Sequence, residues 1–242
     1  MSKIFGIIPA RFGSTRFPGK PLALILGKSM IQHTYESASN SKLLNDLIVA
    51  TDDSRIFETV KSFGGKCVMT SSNHPTGTDR LIEVASNLEA NSIIVNIQGD
   101  EPDIDPDLID GVIQLKLDHR DWEMTTGACP IYEVSERNDP NRVKVVFTKE
   151  HKALYFSRSL IPSLFKKEIT VYKHLGIYCY ERNVLLSYNK LPESELEISE
   201  SLEQLRALDA GLSIGVYVTR KPSLSVDVPE DISLVEEALS KK

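Results

Sequence analysis

Four times within the first hundred residues, a short unbroken apolar run gives way to polar, glycine- or hydroxyl-bearing residues and then to a helical pattern. The runs cover residues 4–8, 47–50, 67–69 and 93–97. Strands that are apolar on successive residues, with no alternation, are buried on both faces, and only helices on either side of a parallel sheet provide that cover. The helices are legible from their spacing. Ile31, Thr34, Tyr35 and Ala38 recur at helical intervals, as do Ile56, Val60 and Phe63 ahead of Gly64-Gly65, and Leu81, Val84 and Leu88. This pattern predicts an α/β fold whose ligands bind at the carboxyl ends of the strands.

Beyond residue 104 the alternation loosens. Leu108, Val112 and Leu115 predict a helix, and residues 124–134 read as extended. Strands are expected at 143–147, 154–156, 174–180 and 214–218, and a loop over 162–170. Leu202, Leu205 and Leu208 predict a helix ending at Gly211, and Pro229 suits the first turn of a terminal helix. No repeat, linker or low-complexity tract interrupts the 242 residues, so one α/β domain with a small extra lobe is expected.

Composition narrows the class. A net charge of -6 argues against a general nucleic-acid binder, although a local cationic pocket for a small anion remains compatible with it. Three cysteines without paired spacing imply a reducing, cytoplasmic setting, with Cys67 and Cys179 as core fillers. The brief apolar start, broken by Pro9 and Arg11, is neither a signal peptide nor a membrane span.

The chemistry collects at the strand exits. The first strand ends in a loop, residues 9–22, that carries Arg11, Gly13, Ser14, Arg16, Gly19 and Lys20, fixed by three prolines. Hydroxyls and bare amides there can bind phosphate oxygens while the cations neutralise them. It is not the usual P-loop, because Pro21 stands where the magnesium-holding hydroxyl belongs, and no dinucleotide fingerprint follows the strand. Thr76-Gly77-Thr78-Asp79-Arg80 opens a helix, as a ligand cradle or simply as an N-cap. Gln98-Gly99-Asp100-Glu101-Pro102 offers carboxylates suited to a hard divalent ion, or a solvated acidic turn. Asp227 lies in a comparable turn near the end of the chain. Arg158 and His174 stand beside extended apolar segments, and Glu203 and Arg206 are spaced for a surface ion pair. No histidine spacing marks a metal site and no nucleophile elbow is present.

Taken in order, these segments resemble a known family. Ile8-Pro9-Ala10-Arg11 with Ser14-x-Arg16-x-Pro18-Gly19-Lys20-Pro21-Leu22 is similar to the signature loop of sugar nucleotidyltransferases. Adding the segments at 50–52, 69–70, 76–80, 95–102, 153–158, 174–178, 202–206 and 226–231, the chain resembles the 3-deoxy-manno-octulosonate (Kdo) cytidylyltransferase, or CMP-Kdo synthetase, family. The resemblance implies a glycosyltransferase-A-like fold and the reaction of CTP with Kdo to give CMP-Kdo and diphosphate for lipopolysaccharide synthesis. It further implies Mg2+ and a homodimer. Residues up to about 120 would form the nucleotide-binding half, and residues from about 121 the sugar-binding and dimerisation half.

By the same resemblance, Arg11, Lys20 and Asp100 would be catalytic. Arg11 and Lys20 would hold the phosphates, helped by Ala10, Gly13 and Ser14. Thr70, Thr76, Thr78, Arg80 and Gln98 would line the cytidine and ribose side, and Asp100 and Asp227 would bind magnesium. Arg16, Arg158, His174, Tyr178, Glu203 and Gln204 would surround the sugar acid, with the cations facing its carboxylate. Lys173 and residues 163–170 depart from many members and leave acceptor detail open. The alternatives are another acidic sugar, 8-amino-Kdo or sialic acid, or a catalytically silent nucleotide- or sugar-binding protein.

Overall fold

A computed structural model describes residues 2–13, 17–221 and 224–241. Two compact units emerge: residues 1–110 together with 223–242, and residues 111–222.

The first unit opens with β1 (Ile4–Ala10), a 3-10 turn (Lys20–Leu22), a hairpin of β2 (Leu24–Ile25) and β3 (Lys28–Ser29), and α1 (Met30–Ala38). It continues through β4 (Asp46–Thr51), α2 (Ser54–Ser62), β5 (Cys67–Met69), α3 (Gly77–Ser86) and β6 (Ile93–Asn96) into α4 (Pro106–Asp118). The strand order is β6-β1-β4-β5, all parallel, with Ile7 beside both Ile48 and Asn96. Ile7, Ile8, Val49, Ala50, Ile94 and Val95 are wholly buried, as unbroken apolar strands require. Asp53 caps α2 by accepting the Arg55 N–H at 2.9 Å.

The second unit holds β7 (Met124–Pro130), α5 (Val134–Arg137), β8 (Lys144–Phe147), β9 (Ala153–Ser157) and β10 (Tyr172–Glu181). Then follow α6 (Arg182–Tyr188), α7 (Glu195–Glu200), α8 (Gln204–Asp209) and β11 (Ile214–Val218). β11 runs parallel to β7, while β10 pairs antiparallel with β7 and β8, and β8 with β9. The β7–β10 register slips between Leu175 and Tyr178. There the Thr126 hydroxyl satisfies the displaced backbone, lying 2.7 Å from the Ile177 carbonyl and 3.2 Å from that of Leu175.

The chain's last segment belongs to the first unit. Helix α9 (Asp231–Leu239) contributes Val235 to a cluster with Ile25, Met30 and Val226, flanked by Phe17, Ala23, Ile232 and Leu239. Glu236 also accepts the Leu26 N–H at 2.9 Å. The β2–β3 hairpin therefore exists as a shelf for the tail.

Several expectations need correction. The stretch read as extended over 124–134 is a strand only to Pro130 and ends where the short helix α5 begins at Val134, and neither α6 nor α7 shows a periodic apolar stripe in the sequence. Cys129 and Cys179 are buried, but Cys67 is only half-buried on the edge strand β5.

Gly215 faces Trp122 so closely that an added Cβ would lie 2.4 Å from the indole. The indole is itself buried and stacked on His119. Gly215→Ala should destabilise the protein by about 1–3 kcal/mol through overpacking. Urea denaturation measures this, and an unchanged midpoint would show that the indole yields freely.

Candidate functional site

In the first unit, five chain segments converge at the carboxyl ends of β1 and β6 around a cleft of about 270 Å³. Lys20 ties three of them together. Its ammonium donates to Asp100 Oδ2 at 2.6 Å and to the Val226 carbonyl at 2.8 Å, and the Val226 N–H returns to the Asp100 carbonyl at 2.9 Å. The N-terminal loop, the exit of β6 and the tail are thus fastened at one point.

The loop delivers Lys20 through Gly19, whose φ of 71° lies in the left-handed region. The Gly19 N–H bonds the Phe12 carbonyl at 2.9 Å, and a Cβ here would stand 3.0 Å from the Phe12 ring. Arg55 covers that ring, its guanidinium carbon 3.4 Å from the centroid, and is itself forked onto Asp53 at 2.9 and 2.7 Å. Gly99 answers a second constraint, since any Cβ would meet the Pro9 carbonyl at 3.0 Å. Only glycine lets the exit of β6 lie so close against that of β1.

Arg80 forms the floor. It is buried, donates to Asp52 at 2.8 Å, and also donates to the hydroxyl of Thr70. Thr70 in turn is anchored to β4 by its N–H on the Thr51 carbonyl at 2.8 Å. Thr76 caps α3, accepting the Asp79 N–H at 3.2 Å and donating to the Asp79 carboxylate at 2.7 Å, while Thr78 is buried in the helix's first turn. The capping role is therefore real, and Thr76 also lines the cleft. Ala10, Arg11, Gln98, Asp100 and Asp227 complete the wall. Asp231 shapes the turn at Asp227 by accepting its N–H at 2.8 Å and that of Val228 at 3.0 Å. Gly13 is exposed, and Ser14 and Arg16 lie outside the described residues.

Sequence reasoning missed His74, which lines the same cleft and bonds Glu83. The Ser71 N–H and His74 hold the Glu83 carboxyl below its usual range. A lone histidine in a polar loop gives no periodic signal that could have pointed to it. Pro9 and Pro21 were visible in the motif, but only as turn formers.

The remaining expected residues lie in the second unit. His174 sits at the register slip of β10, its Nε2 2.9 Å from the Thr126 hydroxyl and its ring edge-on to Phe156. Burial pushes its pKa down to about 3, so the imidazole is neutral here, whereas the resemblance implied a cation facing the sugar carboxylate. Tyr178 packs against the same ring, and burial holds its phenol well above 10. Arg158 uses three guanidinium nitrogens on backbone carbonyls, those of Glu200 (2.7 Å), Pro140 (3.0 Å) and Ser201 (3.2 Å). The Glu203 carbonyl accepts from Tyr188 at 2.8 Å. Gln204 is buried, and its Nε2 has no hydrogen-bond partner among the described residues.

The low His174 pKa has a thermodynamic consequence. An unfolded histidine titrates near 6.5 and the folded one near 3, so between these values the unfolded chain binds the extra proton. The stability His174 contributes is complete above pH 6.5 and falls as pH drops toward 3, by up to about 1.4 kcal/mol per unit. His174→Gln should flatten the pH dependence of unfolding free energy between pH 6 and 4. Equal slopes in the two proteins would contradict a neutral buried imidazole.

Comparison with known proteins places this geometry in a family. The cytidylyltransferase family model matches residues 5–214. The chain is 58% identical to a 3-deoxy-manno-octulosonate cytidylyltransferase of Leptospira interrogans (serovar Lai), covering 100% of this chain and 98% of that one. It is 49% identical to the like-named protein of Thermodesulfovibrio yellowstonii, over 97% of each. A solved structure of a CMP:2-keto-3-deoxy-manno-octonic acid synthetase complexed with CTP superposes with a TM-score of 0.95 at 43% identity, covering 99% of both chains. The mixed, largely parallel α/β architecture expected from the sequence is the one these proteins share, and the chain belongs to the cytidylyltransferase family, among the 3-deoxy-manno-octulosonate cytidylyltransferases.

Proposed function

We propose that this protein transfers the cytidylyl group of CTP to the anomeric hydroxyl of Kdo, releasing diphosphate. The observation that carries the reading is the Lys20–Asp100–Val226 junction, which sets a cation and two acidic turns, at Asp100 and Asp227, around one cleft in a chain 58% identical to enzymes of that name. In the reaction the anomeric oxygen bonds to the α-phosphorus, the α–β anhydride bond breaks, and the hydroxyl proton is lost. Such a displacement needs alignment and charge neutralisation more than a protein nucleophile.

The residues divide that labour. Arg11 and Lys20 take the phosphate charge, and Thr70, Thr76, Thr78, Arg80 and Gln98 form the nucleoside side. Arg80 is pre-set by Asp52 and Thr70, so it loses little freedom on binding. Asp100 and Asp227 are the magnesium ligands of this proposal. Both carboxylates line the cleft, and magnesium is commonly held by one or two carboxylates together with the substrate's phosphates. Bound magnesium would supply charge neutralisation and would acidify the sugar hydroxyl. Lys20 already pairs with Asp100, so on binding each exchanges the other for a ligand of the same charge sign.

Tyr178, Glu203 and Gln204 form the acceptor side of the proposal, with neutral His174 as a hydrogen-bonding wall. A homodimer in the cytoplasm completes the reading. Exposed Tyr132, Val134 and Phe165 in the second unit offer apolar surface for a second copy, and three free cysteines suit a reducing compartment. No helix among the described residues is long and apolar enough to cross a membrane.

Diphosphate release from CTP and magnesium with a panel of keto-sugar acids tests the reading directly. Kdo should be turned over fastest; preference for 8-amino-Kdo or sialic acid would reassign the acceptor, and CTP binding without turnover would identify a silent binder. Lys20→Met should raise the KM for CTP about tenfold or more, the usual worth of a charge-assisted hydrogen bond. Asp100→Asn should abolish turnover, and undiminished turnover would remove the carboxylate from the reaction.

A further inference from the structure

His74 lines the cleft of the first unit beside Thr76, Gly77 and Arg80, yet no step of the displacement uses it. Its Nε2 lies on Glu83 Oε2, the oxygen that also accepts the Ser71 N–H at 3.0 Å. The Ser71 hydroxyl in turn accepts the Asn73 N–H at 3.1 Å, so the loop ahead of α3 is folded onto that one carboxylate. Arg80, one turn before Glu83 on α3, adds its charge, and the carboxyl is held below its usual range. An ionised carboxylate only accepts, so in the neutral imidazole Nε2 carries the proton and Nδ1 presents a lone pair. Among the described residues that Nδ1 has no hydrogen-bond partner.

Arg80 flanks the same carboxylate and is opposite in kind, because a guanidinium donates only. Its bonds to Thr70 and Asp52 hold it in place. The cleft wall thus sets an acceptor near a donor. A triphosphate accepts only, and ribose hydroxyls donate or accept alike, so neither calls for a locked tautomer. The cytosine edge does, with its 4-amino donor next to the N3 acceptor. Uracil reverses both, O4 accepting and N3–H donating. We propose that His74, its tautomer locked by Glu83, is a base-specificity residue that accepts a hydrogen bond from the 4-amino group of the bound cytosine. This rests on the reading, given above, that CTP occupies the cleft.

A cycle between side chain and ligand group tests it. CTP and its 4-deamino analogue, with hydrogen in place of the amine, are titrated with magnesium into wild type and His74→Phe by calorimetry. The titrations are run at about pH 8, above the usual imidazole range, and the weaker ligand is measured by displacement. In wild type, loss of the amine should weaken binding about tenfold. In His74→Phe, CTP should bind about tenfold more weakly, and loss of the amine should cost less than about twofold because its partner is already gone. Glu83→Gln frees the tautomer, so it should shrink the amine's contribution to about threefold and improve UTP relative to CTP. If the ring only packs the loop, His74→Phe will weaken CTP and the analogue alike and the amine will keep its full worth, which overturns the proposal. Coupling to the ribose, seen with 2′-deoxy-CTP in place of the analogue, also overturns it. Should His74→Phe fail to fold, the Glu83→Gln cycle decides, and an unchanged contribution from the amine counts against the proposal. Wild-type protein that does not bind CTP refutes the functional reading and the base contact together. Amine coupling in a protein that releases no diphosphate refutes the transfer and upholds the contact, whereas diphosphate release without coupling refutes the contact alone.

Discussion

One ammonium group organises the cleft of the first unit. Lys20 reaches a carboxylate from the middle of the chain and a carbonyl from its tail, both within 2.8 Å, from a loop near the beginning. Nothing in a parallel sheet obliges its strand exits to approach one another so closely. Here Gly19 turns the loop through a left-handed step, Gly99 removes the Cβ that would collide with Pro9, and the tail is held by Val226 and Val235 in a hydrophobic cluster. Apolar burial at the rear of the cleft thus fixes where the charges stand at its mouth.

The first unit was largely legible because its signals are local. Unbroken apolar runs gave β1, β4, β5 and β6 nearly to their bounds, and caps such as Asp53 and Thr76 stood where helix starts were expected. The meeting of Asp100 and Asp227 was not legible. It depends on Val226 pairing with the Asp100 backbone and on α9 packing over the β2–β3 hairpin, contacts with no sequence periodicity. The hairpin itself is two residues per strand, too short to leave a pattern.

The second unit was read less well, for a different reason. Several of its polar residues bond to backbone carbonyls, which every residue carries and no sequence distinguishes. Arg158 was expected at the sugar acid and its side chain bonds the carbonyls of a turn; Lys144, placed by the sequence only within a strand, is wholly buried on two carbonyls, where burial lowers its pKa. His174 looks like a cation and is held neutral. For Lys144 and His174 desolvation, a property of the folded environment, sets the state of a side chain whose type suggested another.

The account stands or falls on whether Lys20, Asp100 and Asp227 surround one triphosphate. Crystals grown with CTP and Mn2+ in place of magnesium, measured at the manganese absorption edge, locate the ion directly. The account predicts an anomalous peak bound by the carboxylates of Asp100 and Asp227 and by phosphate oxygens, with Lys20 shifted from Asp100 onto the triphosphate. A peak away from both carboxylates, or a triphosphate bound with the Lys20–Asp100 pair intact, would contradict it.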